Sequence, residues 1–215
     1  MILQMVYRRQ RRDSTTKMHP TYEKILHKAV EVLFEQGFDR FSVQDVLDRA
    51  EVSRGTLYHH YGDVDSLIEA TLVEAYGTES IANRLAFHAL VERATSVSEF
   101  RQETARLMIR VAEVGARVRI RRAHTLSLCS TRPLLGEAVA AEQQELTDAW
   151  VDTILLAKER GFVRPEIDPR LAAVFVQAIG IGRIVDDLAS EPLSKEQWAK
   201  LFFDVYDAVL FTPEP

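Results

Sequence analysis

Four ring side chains stand in a row at Tyr58, His59, His60 and Tyr61, directly after the segment Ser53–Leu57. Imidazole and phenol groups can bind metals, transfer protons or donate hydrogen bonds to a nucleic acid. Adjacent residues on a helix point about 100° apart, so the two histidines do not share a side and no zinc site is predicted. A short helix with an outward face of hydrogen-bonding groups instead suits the major groove of DNA.

A second pair of reactive side chains, His124 and Cys129, raises the question of a nucleophile and its base. The two residues are five apart on a predicted helix, a spacing that does not place them on one face. No third group stands where it would orient the histidine. We therefore predict no catalytic residue, no metal and no cofactor, and we interpret the pair as a buried thiol and a core or pocket histidine.

The charge is distributed unevenly along the chain of 215 residues, whose net charge is −5. Residues 1–62 carry 10 Lys and Arg against 8 Asp and Glu, whereas residues 63–215 carry 17 against 24. A small DNA-binding end on an acidic body would show this asymmetry. The single cysteine excludes an internal disulfide and no run of 18 apolar residues occurs, so we expect a cytoplasmic protein without a membrane span.

Helical periodicity runs through almost the whole chain, and we predict an all-α protein of about nine helices. Residues 1–18 are polar and basic, with Arg8, Arg9, Arg11 and Arg12 among them and no apolar period. We expect these residues to form a flexible arm and not a secretory signal.

Two short helices are predicted after a first helix over residues 21–36. Ser42 is the expected N-cap of a helix over residues 43–50, and Ser53 that of a helix over residues 54–60. A very short turn joins the two, and a fourth helix begins after Asp63. This arrangement is a helix-turn-helix, whose second short helix enters the major groove of DNA.

The short helix after Ser53 has an inner and an outer side. Leu57 and Tyr61 are four residues apart and are expected to face the core, while His60 is expected to pack against the start of the fourth helix. Serines at helix N-termini can bind phosphate through their hydroxyl and backbone N–H groups, and Gly55 allows a close backbone approach. The predicted DNA contacts are Ser42, Val43, Ser53, Arg54, Gly55, Thr56, Tyr58 and His59.

Residues 42–67 resemble the DNA-binding segment of the TetR family of bacterial transcriptional regulators, and the likeness extends upstream through the first helix and Gly37-Phe38. The resemblance implies an N-terminal three-helix helix-turn-helix domain over residues 19–66. It also implies a C-terminal helical domain over residues 67–215 for ligand binding and dimerisation. The residues that match the family pattern are Ala50, Val52, Ser53, Gly55, Leu57, Tyr58, His60 and Leu67.

Two positions depart from that pattern. Glu51 stands where many members have glycine, and Val64 stands where a lysine commonly contacts phosphate. That phosphate contact is therefore left open, and Asp63 and Asp65 would repel an anion. The arginines of the N-terminal arm could replace the contact from the minor groove or the backbone.

The predicted body of the protein contains apolar residues that could line a cavity. By resemblance, such bodies hold a largely apolar effector pocket. Each candidate could equally be an ordinary core residue. The candidates for ligand contacts are Phe87, Met108, His124, Leu128, Trp150, Ile154 and Phe175.

The last two predicted long helices, which begin after Asp168 and Ser194, carry more apolar surface than one chain buries. Pairing them with the same helices of a second chain would form an isologous four-helix bundle. A two-fold dimer would place two recognition helices on successive major grooves, so its operator would be near-palindromic. The predicted interface residues are Val174, Ala178, Gly182, Trp198, Phe202, Val205 and Val209.

A second basic cluster comprises Arg117, Arg119, Arg121 and Arg122. A solvated helix face is the ordinary interpretation of such a run. The alternatives are contact with the acidic start of the fourth helix or transmission of a ligand signal.

These patterns predict a ligand-responsive transcriptional regulator, most simply a repressor, that binds double-stranded DNA as a homodimer and is released by a small-molecule effector. The alternative hypothesis is a small-molecule-binding protein or enzyme whose helix-turn-helix does not bind specific DNA. The sequence does not separate a repressor from an activator.

Overall fold

The computed structural model describes residues 19–113 and 115–213, apart from the side chains of residues 79 and 80. The predicted basic arm, residues 1–18, lies outside these ranges. Within them the chain forms nine α-helices of eight or more residues, one four-residue helix and one 3-10 turn. Among the described residues, β-type pairing is limited to one isolated antiparallel bridge between Val163 and Phe211. The predicted all-α fold is confirmed.

The helices follow one another in chain order as α1 to α10, with the 3-10 turn at Phe38–Arg40 after the first. None of them, within the described residues, is long and apolar enough to cross a membrane. Their bounds are α1 Pro20–Gln36, α2 Val43–Ala50, α3 Arg54–Tyr61, α4 Val64–Arg93, α5 Val97–Ala112, α6 Ala116–Leu128, α7 Pro133–Glu159, α8 Pro169–Gly182, α9 Ile184–Asp187 and α10 Lys195–Val209.

Side-chain caps fix where several of these helices begin. Ser42 Oγ accepts a hydrogen bond from the Asp45 N–H at 3.2 Å, and Ser53 Oγ accepts one from the Thr56 N–H at 3.1 Å. Each cap satisfies a backbone donor that the first helical turn leaves without a partner. Ser194 forms a complete capping box with Gln197 at the start of α10.

The turn between α2 and α3 depends on an unusual backbone conformation. Glu51 has a φ of 53°, and among the described residues it is the one residue other than glycine with a positive φ. Its N–H closes α2 by bonding to the carbonyls of Leu47 and Asp48. The Glu51 carboxylate also pairs with Lys24 of α1 at 3.2 Å, which ties the turn to the first helix.

The chain packs as two compact units. Unit 1 comprises the residues up to 78 together with 121–143, and unit 2 comprises 79–120 together with 144–215. The core of unit 1 contains buried residues of α1 to α4, and Leu135, Ala138 and Val139 of α7 join them. The unit that contains the helix-turn-helix is therefore larger than the segment 19–66, which remains a prediction for the DNA-binding domain.

The core of unit 2 is rich in aromatic rings. The Phe100 ring stacks on Phe162 with 4.7 Å between centroids and meets Phe211 edge to face at 4.9 Å. Trp150 lies 5.8 Å from Phe87, centroid to centroid. This unit supplies most of the residues that the sequence proposes for a ligand pocket.

A break in the helix separates α8 from α9. Helix α8 ends at Gly182, after two glycines of low helix propensity. The break lies at Arg183, whose buried side chain donates to the Ala112 carbonyl at the end of α5, at 2.9 Å.

Candidate nucleic-acid interface

Two buried side chains anchor α3. Leu57 and Tyr61 are both 0% exposed, as their spacing predicts. The Tyr61 hydroxyl donates to the Tyr22 carbonyl at 2.9 Å, and the two tyrosine rings stack with 4.3 Å between centroids. Because α1 holds the inner side of α3 through these contacts, the opposite side of the short helix is left to solvent.

The outward side of α3 carries Arg54, Gly55, Tyr58 and His59, all of them exposed. Their side chains offer a guanidinium, a phenol and an imidazole to an approaching ligand. Thr56 is only half-buried, and its hydroxyl lies 2.9 Å from Ser53 Oγ. This face has the composition of a helix that reads base edges.

The start of α2 contributes in a different manner from the sequence prediction. Ser42 is partly buried and caps the helix, whereas the Val43 side chain packs against the core of unit 1. Val43 can therefore offer only its backbone N–H to a phosphate. The sequence analysis missed Gln44, an exposed amide beside these residues whose Nε2 donates to Asp48 at 2.8 Å.

The N-terminus of α4 carries negative charge. Asp63 Oδ1 accepts a hydrogen bond from the Ser66 N–H at 2.6 Å. This bond holds the pKa of the Asp63 carboxyl below its usual value, so the group is ionised at neutral pH. With Val64 in place of a basic residue, this helix end presents no cation to a phosphate.

The His60 ring lies against two other imidazoles. It lies 4.9 Å from His19, at the N-cap of α1, and 5.0 Å from His59, measured between centroids. Burial and the two neighbouring imidazoles lower the pKa of His60. Within the described residues no group of three His, Cys, Asp or Glu side chains is arranged to hold a metal.

Comparison with known proteins identifies the helix-turn-helix segment. The family model of bacterial regulatory proteins of the TetR family matches residues 25–71, which cover most of α1, all of α2 and α3 and the beginning of α4. This segment of the chain is a TetR-family helix-turn-helix, the DNA-binding part of such regulators.

Similar proteins extend the match beyond that segment. UidR, a helix-turn-helix regulator of Escherichia coli K12, is 22% identical over 187 residues, which are 84% of this chain and 88% of UidR. The A-factor receptor protein of Streptomyces griseus is 26% identical over 162 residues, which are 74% of this chain but 51% of the receptor. The chain thus spans about half the length of that receptor.

A solved structure shows the same fold over nearly the whole chain. The protein, from Mesorhizobium loti and assigned to the TetR family, has a TM-score of 0.67 and 18% sequence identity. The match covers 89% of this chain and 97% of the other.

The seven residues proposed for a ligand pocket are divided between the two units. Phe87, Met108, Trp150 and Ile154 are buried in the core of unit 2, and Phe175 packs against them. The other two lie in unit 1, where Leu128 packs against the core and the His124 ring lies 4.2 Å from Phe38, centroid to centroid.

The core of unit 2 contains polar groups among its rings. Thr104 is 0% exposed on the same face of α5 as Phe100 and Met108, and its hydroxyl has no hydrogen-bond partner among the described residues. His88 Nδ1 lies 3.1 Å from the Thr153 hydroxyl, which itself donates to the Ala149 carbonyl at 2.9 Å. Nδ1 must therefore carry the hydrogen in its contact with Thr153.

The thiol of Cys129 does not pair with His124. Its Sγ–H donates to the Thr125 carbonyl at 3.3 Å, and burial raises the pKa of the thiol. A raised pKa leaves less thiolate at neutral pH, which is the opposite of what a nucleophilic cysteine requires.

The arginines of α6 have partners other than Asp63 and Asp65. Arg119 forms a bidentate pair with Asp187, with N–O distances of 2.5 and 2.6 Å. Arg121 lies over the Phe34 ring at 4.7 Å, and Arg122 lies over the Tyr76 ring at 4.5 Å. Of the alternatives for this basic cluster, contact with the start of α4 is therefore not favoured for these three side chains.

The predicted dimer residues fall into three groups. Val174, Ala178, Gly182 and Val209 are exposed, and Trp198 and Val205 are half-buried. Phe202 is 5% exposed and belongs to the core of unit 2, so its assignment to a surface was wrong. Four further exposed apolar residues, which the sequence did not single out, lie on α8, on α9, in the loop after α9 and on α10, namely Leu171, Val185, Leu188 and Leu201.

Proposed function

We propose that this TetR-family regulator is a cytoplasmic, homodimeric repressor that binds a near-palindromic operator and leaves it when a small-molecule effector binds. The outward face of α3 carries this proposal. It presents exposed hydrogen-bonding side chains on a helix whose opposite side is fixed by Leu57 and Tyr61.

Base recognition is assigned to the exposed side chains of α3. Arg54 lies in its first turn, where a guanidinium can form two hydrogen bonds to the O6 and N7 atoms of guanine. A bidentate contact of this kind contributes about 1–3 kcal/mol of discrimination against the wrong base. The N-termini of α2 and α3, capped by Ser42 and Ser53, are assigned to phosphates.

An exposed apolar surface on α8, α9 and α10 supports a second copy as partner. Leu171, Val185 and Leu188 are 72%, 78% and 75% exposed. Fully burying a side chain of this size contributes roughly 1.5–3 kcal/mol, so leaving all three in water is costly. A two-fold dimer would cover the same surface on both chains and would set the two α3 helices at a fixed spacing.

The effector site is assigned to the aromatic core of unit 2. One relative is the A-factor receptor protein, and a receptor role is proposed for this chain as well. The partnerless Thr104 hydroxyl supports this location, because a buried hydroxyl that lacks a hydrogen bond would be satisfied by a polar group of a ligand. The lining residues proposed are Phe87, Met108, Trp150, Ile154 and Phe175.

The effector binds preferentially to a conformation in which the two α3 helices are not spaced to fit the operator. Because such coupling is reciprocal, a bound operator weakens effector binding by the same factor. Three helices connect the two activities, since α4, α6 and α7 each contribute residues to both compact units. In unit 1, Arg132 of the loop before α7 pairs with Glu69 of α4 at 3.1 Å, and Tyr76 donates to Gln143 at 2.7 Å. A shift of α6 or α7 would therefore reach the helix that follows α3.

Selection of DNA from a random pool tests the operator proposal. The purified protein at about 0.15 M salt, where non-specific phosphate binding is weakened, should enrich an inverted repeat with half-sites about one helical turn apart. Arg54→Ala should reduce affinity for the enriched sequence at least tenfold, the effect of losing about 1.4 kcal/mol. Arg110→Ala, which removes an exposed arginine from α5, should leave affinity unchanged.

Failure to enrich any sequence would contradict operator binding. An effect of Arg54→Ala no larger than that of Arg110→Ala would contradict the assignment of α3 to base recognition.

A further inference from the structure

Three of the six histidines of this chain meet at one edge of the helix-turn-helix. The His60 ring lies between the other two, with centroid distances of 4.9 Å to His19 and 5.0 Å to His59. His59 and His60 belong to α3, whereas His19 is the N-cap of α1 and lies 40 residues before His59 in the sequence. Folding thus brings three imidazoles to the helix assigned to DNA.

His19 has a structural role that depends on its charge. Its Nδ1 atom accepts a hydrogen bond from the Thr21 N–H at 3.2 Å and so caps α1. An imidazolium carries hydrogens on both nitrogens and cannot accept this bond. A positive charge at a helix N-terminus is also unfavourable.

The surroundings of His60 disfavour its charged form in the free protein. Burial lowers its pKa most, and the charges of His19 and His59 lower it further. No carboxylate is among the described groups that shift the pKa of His60. The other ionisable groups of these elements include Asp63, which accepts a hydrogen bond from Ser66, Glu23 and Lys24 on α1, and Arg54 and Tyr58 on α3. The His60 ring thus lies against two other imidazoles at the edge of the helix assigned to DNA.

A DNA phosphate would supply a negative charge beside these rings. A phosphate within about 4–6 Å favours the charged form of a histidine and raises its pKa by one unit or more. Resting on the proposed function of α3, we propose that the cluster of His19, His59 and His60 couples DNA binding to proton uptake, so that DNA is bound more tightly at mildly acidic than at alkaline pH.

The size of the effect follows from linkage. A histidine with an ordinary pKa of about 6.5 that rises by about one unit on binding increases affinity about sixfold between pH 8 and pH 6. Mutual repulsion within the cluster limits how many of the three rings become charged together. We expect an increase of about five- to tenfold, which corresponds to uptake of about half a proton, averaged over these two pH units.

The test measures affinity for DNA as a function of pH with a duplex of mixed sequence, because the contact proposed is to phosphate. Fluorescence anisotropy with a labelled duplex of about 25 base pairs, at constant low ionic strength, gives the dissociation constant between pH about 8 and 6. Calorimetry of the same binding in two buffers with different ionisation enthalpies counts the protons taken up.

The variants separate the cluster from the other histidines. His19→Asn retains a good N-cap without a titrating group, and His59→Gln and His60→Gln remove the two rings of α3. The control is His27→Gln, which removes an exposed α1 histidine that pairs with Glu31 and lies outside the cluster. Circular dichroism confirms that each variant is folded.

We expect the triple variant to bind with an affinity that changes less than twofold over this pH range, while the His27 variant follows the wild type. An increase at acidic pH that persists in the triple variant, or a wild-type affinity independent of pH, would overturn the proposal. If the wild type bound no duplex at any pH, the proposed DNA-binding function itself would fail, which is a distinct result.

Discussion

Replacing Asp187 by asparagine tests whether a buried ion pair holds α6 to α9. Arg119 and Asp187 are joined by two N–O contacts of 2.5 and 2.6 Å, and their side chains are only 9% and 8% exposed. In Asp187→Asn the guanidinium stays buried without its counter-ion. Breaking a buried pair in this way costs about 3–5 kcal/mol, compared with a total stability of about 5–15 kcal/mol.

The surroundings of the pair make recovery difficult. Arg183 lies close enough for its positive charge to act on both partners, and its side chain is itself only 8% exposed. Two cations would then remain near each other with one carboxylate fewer. Urea denaturation at fixed protein concentration should show the loss, since the stability of a dimer depends on its concentration.

An exposed pair on α10 provides the control. Lys200 and Asp204 are four residues apart, with side chains 76% and 52% exposed. Asp204→Asn should change stability by no more than about 0.5 kcal/mol. If Asp187→Asn lowered the free energy of unfolding by less than about 1 kcal/mol, or by no more than the control does, the buried pair would not hold α6 to α9 as argued.

The same pair predicts a dependence of stability on pH. The hydrogen bond from Arg119 is the largest cause that lowers the pKa of Asp187 in the folded protein. The stabilisation is therefore present above the unfolded pKa of about 4 and is lost as pH falls through the lower folded value. In the wild type, the midpoint of urea denaturation should therefore fall as pH drops through this range. In Asp187→Asn, this part of the fall should be absent.

Three further changes test other features. Glu51→Gly should stabilise the protein by about 0.5–1 kcal/mol in thermal or urea denaturation. Glycine adopts positive φ without strain, and the exposed ion pair of Glu51 with Lys24 contributes little stability. A loss of stability would show that the ion pair outweighs the backbone strain. Thr104→Val should raise stability by about 1 kcal/mol because it removes a buried hydroxyl without a partner, and unchanged stability would mean that the hydroxyl is satisfied in solution. Val185→Glu should produce monomers in sedimentation experiments, because it places a charge on the proposed dimer surface. The control is Ile109→Glu, which changes a 47% exposed residue of α5 and should leave the dimer intact. If the two variants had the same oligomeric state, α9 would not belong to the dimer surface.

The elements of the helix-turn-helix could be predicted because their signals are local. Ser42 and Ser53 cap helices that begin at the next residue, and their hydroxyls bond to N–H groups three residues ahead. The inner and outer sides of α3 followed from the spacing of Leu57 and Tyr61. Such features depend on a few neighbouring residues, which a single sequence contains.

The features that the sequence did not predict depend on partners far along the chain. Arg119 and Asp187 are 68 residues apart, and only the folded chain brings them together. Phe202 matched the apolar pattern of an exposed stripe, but the rings of Tyr206 and Trp198 pack beside it in the core. Periodicity shows that a helix has an apolar face and does not show what covers it.

The composition of unit 1 determines how this protein can be recombined with others. A fusion made by cutting at residue 66 would remove Leu135, Ala138 and Val139, which are at most 2% exposed in the core shared with α1 to α4. The transplanted helix-turn-helix would lose an apolar wall and would expose hydrophobic surface. A biosensor that combines this DNA specificity with another receptor body must therefore carry over residues 121–143 as well, or redesign the surface that they cover.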